Sequence, residues 1–387
     1  MQLADTFTSR GNKFWNHPEA LEGLRNGSPK PVVTHLMLTD TCQHSCAFCS
    51  VQTREGNSLT MDQIKEYLDQ LVPIGLKSVI LSGGGNPILY KNGKDDFNTA
   101  VDYIHSRGLE IGVITNGMPM VNYPYGDKYS VLFNGVKGSS DRMSWKTVWP
   151  ETLDKLTWVR ISMSGLDHKE NEVYVPDIDK SKTTLGFSYV AHDIYEVPEE
   201  PNHGKVSTEE DLQAHGGIAK SVRAFEDRKA ELLLSIESIV RRHQPRYVRL
   251  LPNCLEVSKI KGRCDQLQAI ADAIDPSVVF VQYKPPDAPP ACYLGYLHPV
   301  LNSDGYVYPC DSCVLNKAAG HKFAEPWRMC RWDEIGNIYA QPARSLIKNP
   351  AKQCPGCVFT KSNLLLQTIV DGAPLQPGGE VEHPNFV

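Results

Sequence analysis

The stretch TCQHSCAFCS, residues 41–50, places three thiols within eight residues, at Cys42, Cys46 and Cys49, with no fourth cysteine beside them. The segment before it, THLMLTD (34–40), reads as a short buried strand, so the thiols sit on a loop at a strand end. The segment after it reads as a helix: Thr60 and Gln63 form a capping-box pattern, and Met61, Ile64, Leu68 and Leu71 recur at helical spacing. The alternation continues with strands at 77–83, 110–117, 157–165, 184–192 and 247–252, and with helices at 96–108, about 219–243 and 256–274. Repeated strand–helix units imply parallel strands with helices outside them. Reactive residues collect after successive strand ends, which fits an α/β fold built as a partial (β/α)6 barrel better than a doubly wound sheet. Stretches 118–149 and 166–182, rich in Gly, Pro, Ser, Asp and Lys, read as loop insertions.

Composition sets the frame. The chain has 387 residues, 41% of them hydrophobic and 22% charged, enough for one large domain and a smaller one. A lead segment over 1–30, a barrel over 31–275 and a cysteine-rich domain over 276–387 are expected, with VVFVQYKPP (278–286) as the strand entering the last. No run approaches the roughly 18 apolar residues of a membrane span, so no membrane partner and a cytoplasmic location are expected. Eleven cysteines, several in metal-ligand spacing, favour reduced thiols over a disulfide framework.

The number three decides the chemistry of the triplet. A cubane [4Fe-4S] cluster offers four irons, each usually held by one thiolate, so three cysteines leave one iron open. The competing reading is a closed zinc site with His35 or His44 as fourth ligand, but the order strand, triplet, helix, strand, glycine turn is not that of a zinc ribbon. The spacing Cys-x3-Cys-x2-Cys, with Phe48 before the last cysteine, resembles the radical S-adenosylmethionine (radical SAM) superfamily. The resemblance implies that the open iron binds the amino and carboxylate groups of SAM. SGGGNP (82–87) is similar to the superfamily's Gly-Gly-Glu-Pro-like turn, whose backbone binds the SAM amino group. It places Gly83, Gly84 and Gly85 at the cofactor, with Gly85 where glutamate is common. TNG (115–117) and ISMSG (161–165) look like SAM-contacting strand ends, which carries the role to Asn116 and Ser162.

A second set of cysteines fills the last hundred residues. Cys292, Cys310, Cys354 and Cys357 resemble the ligands of a twitch domain, the shorter relative of the SPASM extension. The resemblance implies one auxiliary [4Fe-4S] cluster there, with Cys313 and Cys330 as candidates to replace a ligand. The same thiols could hold zinc instead. Cys254 and Cys264 lie outside ligand spacing and read as buried small hydrophobes.

The implied function is reductive cleavage of SAM to a 5'-deoxyadenosyl radical that takes a substrate hydrogen atom, with the auxiliary cluster serving electron flow. Such relatives oxidise sugar-like small molecules or modify peptides, so the substrate class stays open between a small molecule and a modified residue. A flavodoxin-like one-electron reductant is implied as a partner. From Lys220 to Arg263 there are 11 Lys or Arg against 5 Asp or Glu, in a chain of net charge −5. Arg241, Arg242, Arg246, Arg249, Lys259, Lys261 and Arg263 therefore raise nucleic acid as a second substrate class, against the plainer reading of a solvated face. A non-enzymatic metal-binding module is the third reading, and it predicts bound zinc and no SAM cleavage.

Overall fold

The computed structural model describes residues 3–8, 11–42, 44, 46, 48–49, 54–117, 148–167, 173–195, 222–254, 256–283, 291–311, 325–340 and 357–387. Cys313, Cys354 and the insertion over 118–147 lie outside the described residues.

All six expected strands form: β1 (Val33–Leu36), β2 (Ser78–Leu81), β3 (Glu110–Thr115), β4 (Trp158–Ser162), β5 (Thr184–Ala191) and β6 (Tyr247–Pro252). Each is parallel to its neighbours, in the order β6-β5-β4-β3-β2-β1. The expectation for 278–286 is corrected. Val279–Val281 (β7) pairs in parallel with β6 as the outer strand of the same sheet. Its register places Val279, Phe280 and Val281 opposite Val248, Arg249 and Leu250. Beyond β1 on the opposite edge the sheet continues through β8 (Val300–Leu301), parallel to β1, and then β9 (Tyr306–Tyr308) and β10 (Cys330–Arg331), both antiparallel.

The helices follow their sequence signals. α1 (Pro18–Arg25) starts at a proline, and α2 (Met61–Leu71) carries the expected capping box, with Thr60 N–H donating to Gln63 Oε1 at 2.8 Å. α3 (Phe97–Ser106) is capped by Asp96, whose carboxylate accepts the Thr99 N–H, and α4 (Phe225–His243), α5 (Ile260–Ile274) and α6 (Thr360–Val370) are the other α-helices of eight or more residues among the described residues. Strand alternation divides the sheet's two faces. Val79, Leu81, Ile111, Val113, Val159, Ile161, Phe187, Val248 and Leu250 pack into the main core with α2 and α3. His35, Ile80, Ile114, Arg160, Arg249 and Val300, from strands at both ends of the sheet, line one common cavity of ≈ 410 Å³, so the sheet curls around it.

The lead segment and the last residues close the side of the sheet where the strands begin. Phe14, Leu21 and Leu24 pack with Leu366, Ile369, Phe386 and Val387. Ser78 Oγ donates to Asn385 O at 2.6 Å, and Asn385 Nδ2 donates to Glu110 Oε1 at 2.6 Å. Lys13 Nζ donates to the carbonyls of His383 and Phe386 at 3.1 and 3.3 Å. Burial, and then the nearby Arg160, push the Lys13 ammonium down to about 7. From there up to the value of a free lysine, the unfolded chain holds a proton that the folded chain lacks, so stability rises with pH through that window. Lys13→Met is expected to flatten the rise in unfolding midpoint between about pH 7 and pH 10. Thermal unfolding across that range checks it, and an unchanged slope counts against a buried, readily discharged Lys13.

Candidate active site

The triplet loop leaves β1 with both of its arms pinned. Asp40 N–H donates to Asn57 O at 3.0 Å, Leu59 N–H to Leu38 O at 2.9 Å, Ser58 Oγ to Thr39 Oγ1 at 2.8 Å, and Glu55 N–H to Asp40 Oδ2 at 2.8 Å. Between the arms, Cys49 N–H closes a turn onto Cys46 O at 2.9 Å. The glycine turn after β2 lies directly on this base. Gly85 N–H donates to Thr39 O (3.1 Å) and Asn86 N–H to Thr41 O (2.8 Å). A Cβ on Gly85 would stand 2.1 Å from Thr41 O, so only glycine fits. Position 85, where glutamate is common in the superfamily, has no room for a side chain here. The polar side chain of the turn is that of Asn86, which is buried; its Nδ2 donates to Asn116 Oδ1 at 2.9 Å, and its Oδ1 accepts from Thr115 Oγ1 at 2.8 Å.

Each thiol meets a donor from a different part of the chain. Asn116 Nδ2 lies 4.0 Å from Cys42 Sγ, and Arg54 Nη2 lies 3.6 Å from Cys49 Sγ. Ser164, at the end of β4, hydrogen-bonds Cys46, and its Oγ is 3.5 Å from His44 Nδ1. Ser162, the residue expected from the sequence, pairs with Ser188 across the strands, and it is Ser164 that reaches the triplet. Burial raises the Cys46 thiol well above its ordinary value, and Cys49 and Cys42 push the same way. Three neighbouring sulfurs, each with a donor beside it and one of them buried, are suited to cationic irons in their midst, so the residues fit a cluster. Phe48 packs edge-on against His192 (4.8 Å), itself 3.7 Å from Asp167 and backed by Arg228, which donates to Asp167 and to His192 O. His35 packs against His298 in the cavity, the rings tilted by 49° with centroids 5.2 Å apart.

In the second set, Asn363 of α6 is the organiser that the sequence reading missed. Its Oδ1 accepts the N–H groups of Tyr293 (2.7 Å) and Leu294 (3.1 Å), while its Nδ2 lies 3.9 Å from Cys357 Sγ. That ties the Cys292 segment to Cys357. Gly295 packs on Pro309, where a Cβ would come within 2.7 Å of Pro309 Cα, and this draws Cys310 to the same place. Cys330 packs on the outer core, close to Tyr67 and Tyr339, whereas Cys310 joins Met37, Val300 and Trp327 on the cavity side. Cys254 and Cys264 are half-buried rather than fully enclosed. Among the described residues, no three His, Cys, Asp or Glu side chains converge as tightly as a single-ion site requires.

The basic run around β6 is dispersed. Arg241 pairs with Glu237 and Arg246 with Glu382; Lys259 and Arg263 both pair with Asp193 and Glu256, and Arg249 lines the cavity. Short-range neutralisation of this kind removes most of the charge that a phosphate-tracking face needs. Gly85→Ala is expected to cost about 1–3 kcal/mol in urea unfolding and to lower the iron retained after anaerobic reconstitution. Unchanged stability and iron would show that the clamp on Thr41 is dispensable.

No helix among the described residues is long and apolar enough to cross a membrane. The family profile described as "Radical SAM superfamily" matches residues 36–128, the span from β1 through the triplet and the glycine turn to just past β3. An S-adenosylmethionine-dependent nucleotide dehydratase of Selenomonas ruminantium is 34% identical over 88 residues, 23% of this chain and 31% of that protein. A PqqA peptide cyclase of Bradyrhizobium diazoefficiens is 26% identical over 165 residues, 38% of this chain and 42% of its own. The chain spans under half the length of these curated relatives. Among solved structures, Streptococcus suis SuiB bound to S-adenosylmethionine has a TM-score of 0.49 at 13% identity, covering 84% of this chain and 70% of that one. The pinned triplet loop, the glycine turn and the profile match coincide on one segment, so residues 36–128 are similar to the radical SAM superfamily, a likeness that implies a [4Fe-4S] cluster and S-adenosylmethionine as cofactors.

Proposed function

We propose that the chain cleaves SAM reductively and uses the resulting radical to oxidise or rearrange a small molecule or a modified residue held in the cavity. The supporting observation is the extent of that cavity. It runs from Ser82, beside the glycine turn, to Cys310 of the second cysteine set, with Val358, next to Cys357, on the same wall. At ≈ 410 Å³ it has the size of a small-ligand pocket.

The roles follow from position. Cys42, Cys46 and Cys49 would hold the first cluster, and when bound it supplies the electron that splits SAM into methionine and a 5'-deoxyadenosyl radical. Gly83, Gly84 and Gly85 offer backbone to the SAM amino group, Asn116 and Asn86 fix the neighbouring polar edge, and Phe48 walls the loop. The curled sheet and the floor built by the lead and tail segments keep water from the reacting carbon. An auxiliary [4Fe-4S] cluster on Cys292, Cys310, Cys354 and Cys357 would receive the electron that a substrate radical gives up. A flavodoxin-like protein is the proposed source of the first electron. The pairing of the basic run with carboxylates argues against nucleic acid as substrate.

Anaerobic reconstitution with iron and sulfide, then addition of dithionite and SAM, tests this reading. About eight irons per chain and release of 5'-deoxyadenosine are expected. Joint replacement of Cys42, Cys46 and Cys49 by alanine should abolish 5'-deoxyadenosine and remove about half of the iron; product from that variant would refute the assignment. Joint replacement of Cys310 and Cys357 should remove the other half while SAM is still cleaved, and full iron retention there would eliminate the auxiliary cluster.

A further inference from the structure

Two arginines on the inner face of the sheet take no part in SAM cleavage or cluster binding. Arg160 of β4 and Arg249 of β6 both line the cavity, and the guanidinium Nε of each is buried without a hydrogen-bond partner among the described residues. Neither makes an ion pair among the described residues. Arg160 lies 5.6 Å from the Trp158 ring, and Arg249 is steered by a hydrogen bond from Nη1 to the buried Gln282 Oε1 at 2.9 Å. Each side chain is thus oriented by one neighbour, with donors left over. Two cations facing one enclosed space repel each other, and burial together with Arg160 pushes the Arg249 guanidinium down to about 9.

The other polar groups around the cavity do not cancel this charge. Lys13 already donates to two carbonyls, and His35 and His298 pack against each other at a tilt. Among the described residues, Asp311 supplies the cavity wall's single carboxylate, set against two guanidiniums. On the far wall the first turn of α6, Thr360 to Ser362, borders the same space. Its N-cap, Phe359, offers no side-chain acceptor to that turn. Thr360 N–H turns back onto Cys357 O at 3.2 Å, and the 11-residue helix sets the positive end of its dipole at that wall. Guanidinium forks on one side and a helix N-terminus on the other are complementary to a planar or tetrahedral oxyanion.

We propose that the cavity is a receptor for an anionic group of the substrate, a carboxylate or a phosphate, gripped by Arg160 and Arg249. The proposal rests on the reading of this cavity as the substrate site. Fixing the anion at this depth would hold the rest of the substrate between the anion site and the triplet, which limits the carbons that a radical at Ser82's end of the cavity can reach.

The test uses the reconstituted full chain labelled with phenylglyoxal, an arginine reagent, and mapped by mass spectrometry with and without inorganic phosphate or acetate. Phosphate is expected to protect Arg160 and Arg249 at least tenfold, while Arg241, whose side chain is 79% exposed, is labelled equally in both conditions. Protection by acetate as well would identify a carboxylate site; protection by phosphate alone would identify a phosphate site. Equal labelling with and without either anion overturns the proposal. In Arg249→Gln, phosphate affinity by calorimetry should fall about ten- to hundredfold, with a smaller fall in Arg249→Lys. If the arginines instead serve the auxiliary cluster, the variants will lose iron and leave phosphate affinity unchanged, which also overturns it. Release of 5'-deoxyadenosine from the same preparation separates the two readings. Anion protection without SAM cleavage refutes only the radical chemistry, and cleavage without protection refutes only the anion site.

Discussion

Because its core strands run parallel, every core strand of this sheet ends on the same side, and the site depends on that constraint. The triplet loop lies after β1, the glycine turn after β2, Asn116 after β3, Ser164 after β4 and His192 after β5. Residues from Cys42 to His192 therefore meet around one eight-residue segment without any of them leaving its strand end. Donors to the three sulfurs come from three separate segments, at Arg54, Asn116 and Ser164. The sulfur environment is accordingly a property of the whole sheet rather than of the loop alone.

The same alternation that buries Val79, Val113, Val159 and Val248 under the helices turns every second residue into the cavity. Apolar contact on one face supplies stability, which leaves the other face free to carry His35, Arg160 and Arg249. Burying such groups is costly unless something compensates them. Here Trp158 lies beside Arg160, Gln282 holds Arg249 and His298 packs against His35, and the sheet's outer core bears the cost.

Much of this could be read from the residues. The cysteine spacing, the capping box at Thr60 and Gln63, and the six strands are local patterns, and local patterns survive without knowledge of the fold. What escaped was choice within a motif. Asn86 and Ser164 lie inside SGGGNP and ISMSG, but which residue of a turn faces its neighbour depends on a clash, that of a Cβ at 85 with Thr41 O, which only the packed backbone defines. Cys310 and Cys330 likewise part company only once three-residue and two-residue strands fix which face each presents. Asn363 gave no signal at all, since an asparagine inside a helix resembles any other polar helix residue.

Among the described residues, hydrogen bonds from Thr39 and Asp40 to Glu55, Asn57 and Ser58 join the arms of the triplet loop. In small zinc-bound domains the metal does the folding, and losing it means unfolding. Here the frame stands on its own bonds. Were a cluster lost from such a socket by oxidation, the bonds between the arms would still be there to receive iron again.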